Sequence, residues 1–525
     1  MQTNRRDFIK TTSLSALGMG ILPHFTPLSI FNQNLLLSSL PRKSPESQGI
    51  ASKAISDFIN AANASGLEWH SFMFLRHGNV VAEGWWKPFD AGFKHTLYSL
   101  SKSFTSTAIG LLVKEGKLSV DDSVISFFKN DTPPSPSDNL KALKVKHLLT
   151  MNTGHDVDTL PKMRENKSQA WTKTFFDVPI VHEPSTHFLY NTGATYMLGA
   201  IVNKITGQTL KDYLTPRLFQ PLGIEGYDWE VSPQGLNTAG YGLRIKTEDI
   251  AKFGQLYLQK GQWNGNQILT EEWVNAATSK QTTSQEGDND WSQGYGYQFW
   301  RCKPGFYRGD GAFGQFCMVI PEQDAVLAMT CESWNLQKTM NIAYETLLPA
   351  LQNGVLPENT EGVNQLKNEL SNLSLSVPKG SKSSKLMSKY SDKFFKLEKN
   401  SFDVSELGFG LFEDAGVLRI KYGNSQQFHK IGFGWEQWKV NKNGDKNPFP
   451  VEGRTHAPSK IAATGTWINQ NTLQINFKFV EAIHGDTLTC IFEDNKLTVL
   501  MQNSVSANTK NSLDKRESLI GTLKK

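Results

Sequence analysis

Residues 103–113 run Ser-Phe-Thr-Ser-Thr-Ala-Ile-Gly-Leu-Leu-Val without one charged side chain. A helix that is small and apolar on every face needs neighbours on every side, so this stretch belongs in the middle of a layered domain. The residue before it is Lys102, and Ser99 stands three positions earlier. Residues three apart on a helix share a face. A serine hydroxyl is a poor nucleophile until something takes its proton. An amine in the first turn of a buried helix can take it, because burial lowers a lysine pKa. The Ser-x-x-Lys pattern recurs at 126–129, 376–379 and 512–515. At 126 the segment reads as an amphipathic surface turn, and at 376 Pro378 interrupts the pair.

At 525 residues the chain exceeds one ordinary core, so two domains with appendages are expected. With 38% hydrophobic and 20% charged residues it has the composition of a soluble globular protein. A formal charge of +5, carried by scattered lysines, gives no footing for nucleic acid. No internal run approaches the roughly 18 apolar residues of a membrane span, so none is expected beyond the leader. That leader, Asn4-Arg5-Arg6-Asp7-Phe8-Ile9-Lys10 followed by a mildly apolar run over 11–22, resembles a twin-arginine export signal. It assigns 1–35 to signal and tether and the protein to the periplasm or beyond. No clean small-x-small cleavage site marks the mature start between 22 and 40. Cys302, Cys317 and Cys331 fall in consecutive apolar segments. They either pair in an oxidising compartment or serve, like Cys490, as buried small hydrophobes; none has zinc-ligand spacing.

A helix is expected over 52–64, a strand-turn-strand over 70–85, and mostly helical and loop pattern over 130–290. Strand character returns at 295–301, 315–320 and 325–330, followed by a helix near 336–351. Strands at both ends with helices between predict an α+β fold over 40–355: one antiparallel sheet flanked by helices, with a helical insertion. Residues 356–388, rich in Ser, Lys and Asn, read as a linker. Short strand patterns at 394–397, 408–412, 417–422, 427–432, 472–479 and 487–492 then predict a small, separate all-β domain over 389–525.

Two further segments carry chemistry. Tyr190-Asn191-Thr192-Gly193 ends a polar loop just before a helical pattern, and a tyrosinate held near a lysine ammonium can shuttle a proton. Arg308-Gly309-Asp310-Gly311-Ala312-Phe313-Gly314-Gln315 runs into a strand, where glycines permit close backbone approach to a ligand and a backbone N–H can meet a developing oxyanion.

In this order and at these separations, the three segments resemble the serine β-lactamase and penicillin-binding-protein superfamily. The similarity is to the class C-related branch, with its esterases, D-amino-acid peptidases and nylon-oligomer hydrolases. It spans roughly 45–349 and extends to Arg76-His77-Gly78, Tyr98-Ser-Leu-Ser-Lys-Ser-Phe-Thr105, His147-Leu-Leu-Thr-Met151 with Gly154, Phe219-Gln-Pro-Leu-Gly223, and Gly314-Gln315 with Pro321. The resemblance implies Ser99 as acylated nucleophile, Lys102 as its base or proton relay, and Tyr190 as proton donor to the leaving group. It further implies the backbone N–H groups of Ser99 and Ala312 as oxyanion hole, a small ester, amide or peptide as substrate, and no cofactor. Two departures narrow this. The family's Tyr-x-Asn is here Tyr190-Asn191-Thr192, so the amide comes one residue early and Thr192 offers a hydroxyl instead. The family's Lys-Thr-Gly or His-x-Gly strand is replaced by Gly309-Asp310-Gly311, where Asp310 repels a substrate carboxylate unless Arg308 compensates. With Asn191, Thr192, Arg308, Asp310 and Gly311 as the substrate-binding candidates, an ester or small amide is expected over penicillin. A β-lactamase or D-Ala-D-Ala-type peptidase, and a catalytically silent scaffold on the same fold, are the alternatives.

Other patterns weigh less. His182 and His187 stand five apart with Pro184 between, which spoils the helical zinc motif, and no metal is assigned. Trp69, Trp85 and Trp86 read as core before cleft, and Phe433, Trp435 and Trp438 as packing before ligand binding.

Overall fold

The computed structural model describes residues 39–445, 447–451, 459–510 and 512–525. The twin-arginine segment lies outside the described residues. From Leu40 to Lys525 the chain is one unit.

Its first layer is a six-stranded antiparallel sheet in the order Asn79–Trp85, Glu68–Arg76, Ala325–Glu332, Gln315–Ile320, Tyr307–Gly311 and Trp300–Arg301. The N-terminal hairpin thus pairs with a strand some 250 positions away, Met73 facing Ala328. Side chains alternate between the two faces, as the period of two requires. Phe72, Phe74, Phe316, Met318, Leu327 and Met329 pack under the helices Ser52–Ala64 and Leu336–Thr346. Met73, Leu75, Cys317, Val319, Val326 and Ala328 face the helical insertion, with Thr247–Leu258 lying directly on them. Both faces are covered, which is why these strands read as continuous apolar runs. Trp69 and Trp86 lie in this core, while Trp85 is half-buried.

Two expectations need correction. Of the strand predicted at 295–301, only Trp300–Arg301 forms; Tyr295 makes isolated bridges, and Gln298 adopts φ +66° so that its amide reaches the Leu148 and Leu149 carbonyls. The stretch read as a linker contains a helix, Thr360–Ser371, whose Leu366 is buried against the N-terminal helix region. Of the two alternatives for the cysteines the second holds: all four are buried free thiols.

The C-terminal strands do more than form a small β domain. Nine of them close into a barrel: from Lys393–Leu397 the order runs through Val404–Leu411, Ala415–Tyr422 and His429–Trp435 in one direction. In the other it runs through Leu519–Leu523, Lys496–Asn503, Gly485–Glu493 and Thr472–Phe479 to Ser459–Asn469. Parallel contacts Gly434–Thr464 and Trp435–Gly465 shut the ring, and a tenth strand, Lys439–Asp445, runs beside the seam. Aromatic and branched side chains, among them Phe395, Phe409, Phe433, Trp435, Trp467 and Phe492, fill the interior. A short helix, Ser504–Asn508, makes it not purely β. Nor is it separate, since Lys478, at the end of one strand, and His484, in the turn that follows, dock on the sheet. Trp438 packs at the same junction and donates to the Leu375 carbonyl.

Candidate active site

A short 3-10 turn, Tyr98–Leu100, leads into the helix Ser101–Lys114. Every side chain from Ser101 to Leu112 is buried, as the uncharged run requires. Most of its hydroxyls find partners: Ser103 donates to the Gln298 carbonyl, Thr105 to that of Ala239, and the Leu243 N–H donates to Ser101, while Ser106 Oγ is left unpaired. With most of its polar groups satisfied, such a helix can sit in a core.

Lys102 is 1% exposed, and its Nζ lies 3.1 Å from Ser99 Oγ, 2.8 Å from the Gly240 carbonyl and 3.4 Å from Thr192 Oγ1. Burial lowers its pKa to about 7, against the opposing pull of Asp158 and Asp310. A neutral amine has two N–H bonds and one lone pair. With Gly240 O and Thr192 Oγ1 taking the hydrogens, the lone pair faces the half-buried Ser99 hydroxyl.

Tyr190 sits at the end of its loop, anchored where the Leu189 N–H donates to the Met151 carbonyl. Its ring lies under Lys102 Nζ, 4.9 Å from centroid to nitrogen, and stacks on Trp300. Burial, and after it Asp310, push the phenol well above its ordinary range despite the opposing influence of the nearby Ser99 hydroxyl. Burial thus disfavours the tyrosinate expected from the sequence, and of the two groups it is Lys102 whose pKa is brought near 7.

The one-residue shift of the asparagine decides where it points. Asn191 is fully buried; its Oδ1 accepts from Ala194 N–H, capping the helix Thr192–Thr206, and from the backbone and hydroxyl of Thr159. It is a capping residue turned away from Lys102, and Thr192 is the neighbour that reaches the amine.

Gly309 and Gly311 belong to the strand Tyr307–Gly311, which lies directly on the nucleophile segment. A Cβ on Gly309 would come within 2.4 Å of Leu100 Cδ1, and one on Gly311 within 2.1 Å of the Leu97 carbonyl. Asp310 between them is buried against Arg308, whose Nε donates to Asp310 Oδ2 at 3.0 Å. The same guanidinium donates to the Arg301 carbonyl and lies over the Trp291 ring. Arg308 thus neutralises Asp310 and is no free cation. Ala312 follows in an exposed turn, with Phe313 at φ +67°.

Sequence reasoning missed two partners. Asp158 accepts from the Thr192 N–H at 2.8 Å and faces Lys102 electrostatically, but it lies in a loop with no pattern of its own. Gly240 acts through its carbonyl and leaves no side-chain signature. His182 and His187 are brought together by a turn, not a helix, with rings 4.3 Å apart on the surface beside Asp156.

Residues 57–351 match the family model described as Beta-lactamase. A 6-aminohexanoate-dimer hydrolase of Paenarthrobacter ureafaciens is 25% identical over 285 residues, covering 50% of this chain and 72% of that protein. A lovastatin esterase of Penicillium rubens is 29% identical over 150 residues, covering 24% of this chain and only 37% of its own length. Among solved structures, a penicillin-binding-protein homologue from Caulobacter crescentus aligns with a TM-score of 0.47 at 15% identity, over 56% of this chain and 97% of that one.

Proposed function

The chain belongs to the beta-lactamase family, and on that premise we propose that it cleaves an ester or small amide through an acyl-enzyme on Ser99. The observation that carries the reading is Lys102 Nζ, buried, 3.1 Å from Ser99 Oγ, with its pKa lowered to about 7. A general base near that pKa has both the right protonation state and the driving force to act at neutral pH.

In the first half-reaction Lys102 takes the Ser99 proton as Oγ attacks the carbonyl carbon. The backbone N–H groups of Ser99 and Ala312 meet the oxyanion. As the intermediate collapses, the Tyr190 phenol gives its proton to the leaving oxygen or nitrogen and regains one from Lys102 across the site. Water, deprotonated by the same amine, then releases the acid and restores Ser99. Arg308 is fully buried and paired with Asp310, which supports an ester or amide over a penicillin. The Arg5-Arg6 pattern supports the periplasm or beyond as the compartment of this chemistry.

The test is direct. A fluorophosphonate probe should label Ser99, and Ser99→Ala should lose turnover of p-nitrophenyl acetate by about 1,000-fold or more. Values of kcat/KM should rise through about pH 7 as Lys102 loses its proton. No label on folded protein, with Ser99→Ala as active as wild type, would leave a silent scaffold as the answer. Nitrocefin turned over faster than the ester would overturn the substrate preference.

A further inference from the structure

Glu68 and Glu332 are direct cross-strand partners at one end of the six-stranded sheet. Like charges placed opposite each other in a sheet repel. The cation between them comes from the barrel: Lys478 Nζ lies 2.6 and 2.8 Å from the two Glu68 oxygens and 3.3 Å from Glu332 Oε2. The other Glu332 oxygen is 2.8 Å from Nδ1 of His484, also from the barrel. Burial opposes ionisation of Glu332, but Lys478 and His484 outweigh it and hold its carboxyl below the ordinary range. A carboxylate only accepts, so Nδ1 carries a hydrogen and donates it. Nε2 is left facing the Tyr98 hydroxyl at 2.8 Å.

Tyr98 immediately precedes Ser99 and sits at φ +47°; Phe313 immediately follows Ala312 and sits at φ +67°. Left-handed backbone at large side chains persists only where surroundings hold it. His484 meets both rings: its edge contact with Phe313 is 4.7 Å between centroids, and Tyr98 and Phe313 meet each other at 5.2 Å. The two strained residues adjoining Ser99 and Ala312 are therefore tied together by one barrel side chain. A cleft of about 330 Å³ opens beside them, with Tyr98, Tyr241 and Phe313 on one wall and Ile483, His484 and Val505 on the other.

We propose that His484 is a positioning residue for acyl transfer, holding Tyr98 and Phe313 so that the Ser99 and Ala312 N–H groups converge on one oxyanion. This rests on the acyl-enzyme reading above. It makes the barrel part of the site, with rate as its effect.

The experiment uses the full-length protein and p-nitrophenyl acetate. Removing a whole oxyanion donor costs about 100- to 1,000-fold, so loosening both should lower kcat about ten-fold or more in His484→Ala, with KM changed less than about two-fold. His484→Gln keeps one of the two hydrogen bonds and should recover part of that loss. Tyr98→Phe removes the hydroxyl that His484 holds; it should lower kcat too, and the double variant should lose less than the product of the single losses. Wild-type kcat in both His484→Ala and Tyr98→Phe, or a loss confined to KM, overturns the proposal. Should His484→Ala fail to fold, His484→Gln and Tyr98→Phe carry the same comparison. A wild type without Ser99-dependent turnover overturns the acyl-enzyme reading and this one with it; wild-type turnover untouched by His484→Ala overturns this one alone.

Discussion

Lys102 stands between opposing influences that can be removed one at a time. Burial lowers its pKa, while Asp158 and Asp310 raise it, and the balance falls at about 7. Asp310→Asn keeps an oxygen for the Arg308 guanidinium but deletes one of the two anions. The pKa of Lys102 must then fall further, because less negative charge stabilises the ammonium. A base that is neutral at lower pH moves the rising limb of kcat/KM to lower pH, and a profile on a neutral ester between pH 5 and 9 reads this. A limb that stays in place or moves up would show that Asp310 does not act on the amine. The residues of this balance differ in how readable they were. Ser99, Lys102 and Tyr190 declare themselves by side-chain type and spacing. Asn191 misleads because one position of offset turns it from the amine to a helix cap, and Asp158 arrives from a loop through tertiary contact alone.

The strand Tyr307–Gly311 shows what an element contributes when its side chains are missing. Its two glycines let the backbone lie on the 3-10 turn that carries Ser99. Gly311→Ala puts a methyl group 2.1 Å from the Leu97 carbonyl, and backbone, not a flexible side chain, has to yield. Overpacking of this kind costs roughly 1–3 kcal/mol, to be read by denaturant titration. The nucleophile turn is the part that moves, so ester turnover should fall about ten-fold or more in protein that is still folded at 25 °C, since small misplacements at a reacting centre are costly. Full activity in Gly311→Ala would mean that the strand and the turn adjust independently. The glycines were legible as a site of close approach; what they approach was not, since Leu97 is an unremarkable residue until the sheet and helix are assembled. For the same reason the strands at 315–320 and 325–332 follow from their apolar runs. The helix Thr360–Ser371 hid inside a polar composition because one buried leucine, Leu366, with Leu370 partly buried beside it, is enough to dock it.

At the scale of the molecule, individual barrel strands are visible in the sequence, whereas their docking depends on charges 410 positions apart. Lys478 is held between Glu68 and Glu332, and all three groups are ionised: burial opposes each, but the opposite charges outweigh it. The Glu68 carboxyl is depressed in the folded state, so its contribution to stability is present above the ordinary carboxylate range of about 4 and is lost as pH falls through the folded value. Lys478→Met removes the cation and leaves two facing carboxylates with only the imidazoles of His70, on Glu68, and His484, on Glu332, beside them. Breaking a buried pair in this way costs about 3–5 kcal/mol. The variant's carboxyls are then raised rather than depressed, by burial and by each other, so protonation relieves them. Its deficit relative to wild type should be largest near pH 7 and shrink as the pH is lowered toward 5. Urea titration of both proteins at the two pH values reads the difference. Glu332→Gln in the Lys478→Met background removes one of the two repelling charges and should recover part of the loss at pH 7. A deficit independent of pH, unrelieved by Glu332→Gln, would mean that Lys478 matters for packing rather than charge. The cross-strand carboxylates would then not be what holds the barrel over the nucleophile.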